Sequence, residues 1–205
     1  MFCCVSRLSA VEAGRLSSKD SVLELFLRQV GESTPLIVLS TGPQADALED
    51  LKVPRNAICM PEVPQVDLLR MGVDLFLSHF GQNSFMESLS LGVPMVGCPG
   101  FVDQPANAKK AEAMGVALQV DRPVPLDGEE PAALEKYQDQ VSEALRRVYH
   151  EPQFRGRARE VARGIQEAGG VQRAVEILLG CCEREVLPKL LGHQGTEILK
   201  TTKVA

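Results

Sequence analysis

No apolar run in the 205 residues approaches the roughly 18 to 20 that a membrane-spanning helix needs. Met1-Phe2-Cys3-Cys4-Val5 is too short, and too soon followed by Arg7, to be a signal-peptide core. Lysine and arginine number 22 against 27 acidic residues, a net charge of −5, and no basic cluster breaks that balance. Nucleic-acid and membrane-surface binding begin with phosphate neutralisation, so both are poor expectations. An anion would have to be held locally, by backbone dipoles and a few side chains. The six cysteines form no disulfide framework: Cys3-Cys4 and Cys181-Cys182 are adjacent pairs, and Cys59 and Cys98 lie in apolar runs. The three histidines, His79, His150 and His193, are far apart, and no Cys/His spacing suits zinc. Reduced thiols and a cytoplasmic location are the simplest expectation.

What remains is ordinary for a soluble globular chain, with 44% apolar and 24% charged residues. Short apolar runs alternate with amphipathic stretches. Strands are expected at Phe2–Ser6, Leu36–Ser40, Ala57–Met60, Asp74–Ser78, Pro94–Cys98 and Val116–Val120. Continuous runs such as Leu36-Ile37-Val38-Leu39 suit strands covered on both faces, as in a parallel sheet. Helices are expected at Ser18–Val30, Ala45–Leu51, Asn83–Leu91 and Asp103–Met114. The alternation argues for an α/β fold, a Rossmann-like doubly wound parallel sheet. After Arg122-Pro123-Val124-Pro125 the pattern turns helical, with Pro131–Tyr149, Pro152–Ala168 and Gly170–Cys182 as a helical C-terminal appendage. The expected organisation is one domain over residues 1–182 and a weakly structured tail over 183–205.

One segment carries chemistry. At Asp74–Glu87 a buried strand runs through a glycine turn directly into a helix. Such a helix start exposes unpaired N–H groups at the positive end of the dipole, on the ligand-binding edge of a parallel sheet. Gly81 permits close approach, and Asn83 and Ser84 can donate hydrogen bonds, so a phosphate or diphosphate fits. Structural readings stand beside this one. Ser84-Phe85-Met86-Glu87 matches a capping box, His79 suits a structural histidine at a strand end, and Asp103 before Gln104-Pro105 suits an N-cap. The residues alone leave both sets of readings open.

Val63-Pro64-Gln65, His79-Phe80-Gly81-Gln82-Asn83-Ser84 with Glu87, Gly92-Val93-Pro94-Met95, and Asp103-Gln104-Pro105-Ala106-Asn107-Ala108 resemble the donor-binding signature of the UDP-glycosyltransferase superfamily, in its macrolide-glycosyltransferase-like branch. The resemblance runs from about residue 36 to about residue 182. It implies the GT-B architecture, two Rossmann-like domains across a cleft, with this chain as the C-terminal, donor-holding half and the acceptor domain absent. It further implies transfer of a hexose from a UDP-sugar co-substrate to the hydroxyl of a small-molecule or lipid acceptor, with inversion. No cofactor and no metal are expected, and the chain has no Asp-x-Asp pair.

Residue by residue, the resemblance implies that His79, Gly81, Asn83 and Ser84 grip the diphosphate, that Glu87 holds the ribose hydroxyls, and that Asp103 and Gln104 hold the hexose. Val63, Gln65, Thr41 and Gly42 would line the base pocket. No catalytic base is expected in this chain, because the family's lies in the other half. Transfer would then need an acceptor-domain partner chain or a longer product. The alternative is a non-catalytic nucleotide-sugar-binding or interaction module. Two positions depart from the pattern. Glu62 stands where an aromatic often stacks on the base, in a chain with no tryptophan. Phe80 stands where the family has glycine, and a bulky residue at positive φ there would distort the diphosphate pocket.

Overall fold

In the computed structural model of the chain, residues 2–5, 36–42, 53, 55–124 and 128–181 are described. The expected helices at 18–30 and 45–51 and the tail from 183 lie outside those residues.

All six expected strands are present: β1 Phe2–Val5, β2 Leu36–Ser40, β3 Ala57–Met60, β4 Leu75–Ser78, β5 Met95–Gly97 and β6 Ala117–Gln119. They form one sheet in the order β3-β2-β1-β4-β5-β6, and every pairing is parallel. Phe76 of β4 registers with Cys4 of β1 and with Met95 of β5. The order reverses between β1 and β4, and ligands of doubly wound sheets bind at the carboxyl ends of the strands flanking that switch point.

The described helices are α1 Gln65–Arg70, α2 Gln82–Ser90, α3 Gln104–Ala113, α4 Glu130–His150, α5 Pro152–Glu167 and α6 Gly170–Cys181. The chain divides into two compact units, Met1–Arg163 and Gly164–Ala205. In the first, successive strand side chains go to opposite faces, as the pleat requires. Ile37, Leu39, Leu75, Leu77 and Val96 meet Tyr137, Val141, Leu145 and Val148 of α4 and Phe154 of α5. Val38, Phe76 and Met95 are also fully buried, which is why these strands read as unbroken apolar runs. Each such Leu, Phe or Val contributes about 1.5–3 kcal/mol by leaving water. Arg155 of α5 pairs with Asp74, just ahead of β4 and 81 positions away in sequence. In the second unit, the Gly169 carbonyl accepts from Arg173 N at 3.1 Å as α6 starts, and Arg173 pairs with Glu176.

The one described helix with no counterpart in the sequence pattern is α1. Its six residues give too few turns for a periodic signal. Pro64 stands at its N-cap, Asp67 in its first turn and Arg70 in its last, which suits the dipole.

The Asp74 side chain is 15% exposed and that of Arg155 37%, so their pair is only partly screened by water. Arg155→Ala is expected to lower stability by about 1 kcal/mol at low salt and by less at about 1 M salt. Urea denaturation at the two ionic strengths measures both.

Candidate functional site

β4 ends at Ser78 and α2 begins at Gln82, so three residues make the turn at the switch point. The middle one, Phe80, has φ +64, a left-handed backbone that is unfavourable for a bulky side chain. Its ring is fully buried and lies 5.6 Å from that of Phe85. A methyl built on Gly97 would overlap Cε2 and Cδ2 of Phe80, so the glycine in β5 makes the niche that the ring fills. The turn is also held by hydrogen bonds: Phe80 N donates to Ser78 Oγ at 3.1 Å, and Asn107 Nδ2 of α3 donates to Phe80 O at 3.0 Å. Positive φ is therefore real at this position, but the ring points into the core. This corrects the expectation that its bulk distorts the pocket.

Gly81, the N-cap of α2, has an ordinary φ of −57. Its glycine leaves room for the imidazole, since a Cβ there would lie 2.6 Å from His79 Nε2 and displace the ring. The imidazole thus lies against the helix start. Its Nδ1 is buried, and no hydrogen bond reaches it. Burial lowers the His79 pKa from its usual 6.5, the Arg122 charge lowers it further, and Asp103 partly opposes them. The ring is neutral at pH 7 and can offer one N–H as a donor.

The capping-box reading of Ser84 and Glu87 does not survive. The helix starts two residues before Ser84, with Gly81 as its N-cap, and no side chain caps it at that position. Instead Gln65 Nε2, at the start of α1, donates to Ser84 Oγ at 3.2 Å and to Glu87 Oε2 at 2.5 Å. Asp103 does not cap its own helix either. Its Oδ2 accepts from Gln82 N at 3.0 Å and from Asn107 Nδ2 at 2.9 Å, so it caps α2 from across the site. Among the described residues no acceptor reaches the amides of Asn83 and Ser84.

Gln104 is buried, and its Oε1 accepts from Gly100 N at 2.8 Å, which fixes the turn ahead of α3. Thr41 N and Gly42 N donate to Met60 O and Pro61 O at 2.9 and 3.0 Å. This ties the end of β2 to the strand leading into Val63 and Gln65, which are both half-buried. Glu62 and Asn83 are exposed. The structure therefore brings His79, Gly81, Asn83, Ser84, Glu87, Gln65, Asp103 and Gln104 to one edge of the sheet, with Thr41 and Gly42 at the end of β2 on that edge. His150 is exposed at the end of α4. Among the described residues no group of histidine, cysteine and carboxylate side chains could hold a metal ion.

Two residues to which the sequence assigns no role also shape this site. Asn107 lies four positions after Asp103 on α3, a spacing that puts both on one face. Arg122 follows β6, where the chain reads as a loop, and its Nη2 donates to Cys98 O at 3.2 Å. Beside it, complete burial pushes the Cys98 thiol up to about 11, and burial also raises the Tyr137 phenol well above its usual 10. Both are neutral at pH 7. The Tyr137 hydroxyl lies close to Cys98 and Arg122, yet no hydrogen bond of good geometry reaches it.

This arrangement has known counterparts. The parallel sheet and its helices match the structure of a glycosyltransferase of kitacinnamycin, with a TM-score of 0.67 and 28% identity over 86% of this chain and 42% of that one. The calicheamicin glycosyltransferase CalG4 shares the fold, with a TM-score of 0.69 and 20% identity. The fold is that of a GT-B glycosyltransferase domain. Residues 46–136 match the family model described as UDP-glucoronosyl and UDP-glucosyl transferase. The NDP-glycosyltransferase YjiC of Bacillus subtilis is 26% identical over 81% of this chain, and the mouse UDP-glucuronosyltransferase 3A1 is 42% identical over 51% of it. The chain is similar to UDP-glycosyltransferases over these stretches. It spans 39% of the length of the Bacillus relative and 20% of the mouse one.

Two measurements check the geometry. Phe80→Ala should cost about 3 kcal/mol, because the ring leaves a cavity. Gly97→Ala alone should cost about 1–3 kcal/mol through overlap with the ring, and close to nothing in the Phe80→Ala background. Denaturant unfolding of the four chains gives the cycle, and equal Gly97→Ala costs in both backgrounds would place the ring elsewhere. The second concerns His79. A folded pKa below 6.5 means that the unfolded chain binds the proton more readily. His79 then costs nothing well above 6.5, and stability falls as the pH drops below it. Urea unfolding from about pH 7.5 down to about pH 5 should show that decline, and His79→Gln should flatten it.

Proposed function

We propose that this chain is the donor-holding part of a UDP-sugar-dependent hexosyltransferase. The observation that carries this reading is the pair of open amides at the start of α2, flanked by His79 and placed at the switch point of the sheet. A diphosphate would take the Asn83 and Ser84 amides and an N–H of His79, with Gly81 letting it approach. The Glu87 carboxylate, fixed by Gln65, would accept from the ribose hydroxyls. Val63, Gln65, Thr41 and Gly42 would line the base. The Asp103 oxygen not engaged by Gln82 and Asn107, and the Gln104 amide nitrogen, would hold hydroxyls of the hexose.

The chemistry follows from these positions. As the bond from the anomeric carbon to the β-phosphate oxygen breaks, negative charge grows on the leaving diphosphate. Fixed amides and a neutral imidazole donor stabilise that charge without reorganising. The acceptor hydroxyl attacks from the opposite face, which inverts the anomeric centre. Its proton must pass to a base, worth about 10²- to 10⁴-fold. This reading places that base, and the acceptor site, in a further domain or partner chain. A cytoplasmic setting suits the free thiols of Cys59 and Cys98, and among the described residues no helix is long and apolar enough to cross a membrane. Glu62, exposed where the resemblance expects an aromatic to stack on the base, favours a second reading, a module that binds nucleotide sugar and transfers nothing.

Calorimetric titration with UDP and UDP-glucose tests the proposal. Binding should weaken about tenfold or more in His79→Ala and in Glu87→Ala, with unchanged circular dichroism. Variants that bind like the parent would sink the site assignment. Transfer that appears only on adding an acceptor-domain chain would support the enzyme reading, and binding without transfer under every such condition would support the module.

A further inference from the structure

Charges withdrawn from water are normally paired, and among the described residues half-buried Arg122 has no ion-pair partner. Its side chain is half-buried, its Nε is buried with no hydrogen-bond partner, and among the described residues no carboxylate lies within ion-pair distance of it. The nearby titratable groups do not neutralise it. Cys98 and Tyr137 stay protonated at neutral pH, and Asp103, whose Oδ2 accepts from Gln82 and Asn107, makes no ion pair with it. One arm of the guanidinium, Nη2, is held by the Cys98 carbonyl. The other, Nη1, lies beside the turn that Gln104 fixes: a methyl on Gly100 would stand 3.3 Å from Gln104 Oε1 and 3.5 Å from Arg122 Nη1. Arg122 also follows β6, so it projects from the same carboxyl edge of the sheet as the rest of the site.

We propose that Arg122 is a further binding residue of this site, whose counter-ion is an oxyanion of the ligand on the Asp103–Gln104 side. The inference rests on the donor reading given above. A planar guanidinium pinned by one arm presents its remaining N–H groups in a fixed direction, the geometry that carboxylate and phosphate oxygens accept. Two groups of a sugar nucleotide offer that chemistry: the terminal phosphate of the diphosphate, and the carboxylate of an acidic hexose.

Calorimetry on the full chain and on its Arg122→Gln and Arg122→Lys variants, with UDP, UDP-glucose and UDP-glucuronate as probes, separates the cases. A loss of about tenfold or more for all three probes in Arg122→Gln, partly restored in Arg122→Lys, supports the proposal with phosphate as the counter-ion. A loss confined to UDP-glucuronate supports it with the sugar carboxylate. Unchanged affinities in Arg122→Gln overturn it. So does a loss that Arg122→Lys does not restore at all and that comes with a lowered melting temperature, because the residue then only braces the Cys98 carbonyl. If the parent chain binds none of the probes, the donor reading itself falls, and that result is distinct from parent-like binding by Arg122→Gln.

Discussion

Between β4 and α2 the chain reverses within three residues, and a buried phenyl ring fixes how it does so. A left-handed backbone at a non-glycine residue costs about 1–2 kcal/mol. Full burial of a phenyl ring returns about 1.5–3 kcal/mol, and Phe80 is fully buried beside Phe85 and over Gly97. The burial term is the larger, so the strained turn holds without glycine's freedom. Because the ring faces inward, the opposite side of the turn is left to His79 and Gly81. The amides of Asn83 and Ser84 are aimed by the same constraint. A ring turned outward would have closed that space, and a backbone in the ordinary region would have pointed the helix elsewhere.

The electrostatics of the edge follow from how few charges it holds. A chain of net charge −5 attracts anions only where local positive potential exceeds the general field. Here the helix dipole supplies partial charge, and Arg122 supplies a whole one. Asp103 works against both, since its carboxylate takes the first amide of α2. It stabilises the helix start by about 0.3–1 kcal/mol. It also confines the open amides to Asn83 and Ser84. The neutral state of His79 matches this balance: burial and Arg122 both disfavour a second cation.

The sheet was legible in the sequence because parallel strands are buried on both faces. An unbroken apolar run such as Leu36–Leu39 is what a short strand needs when helices cover it above and below, and all six strands fall within a residue or two of where the runs suggest. Helix starts were less legible. Ser84-x-x-Glu87 fits a capping box in spacing alone, but spacing does not say which residue is the N-cap, and here the helix begins earlier. Asp103 next to Gln104-Pro105 looks like a cap for its own helix, yet it caps a neighbour 21 positions away. No local pattern encodes that contact. Arg122 was invisible for the same reason, because a lone arginine in a loop shows nothing of the buried cysteine and tyrosine beside it.

Phe80 and Gly97 show how a departure from a family pattern can leave the fold intact. The resemblance expects glycine after the signature histidine, and a large residue there reads in isolation as damage to the pocket. In three dimensions the niche is 17 positions downstream, at the end of β5, where the absence of a Cβ admits the ring. The two positions are therefore one structural unit, and neither can be judged alone. Loss of the ring would leave a cavity under the turn, and a side chain at Gly97 would displace the ring from its niche. The geometry of the open amides thus depends on a glycine in the neighbouring strand.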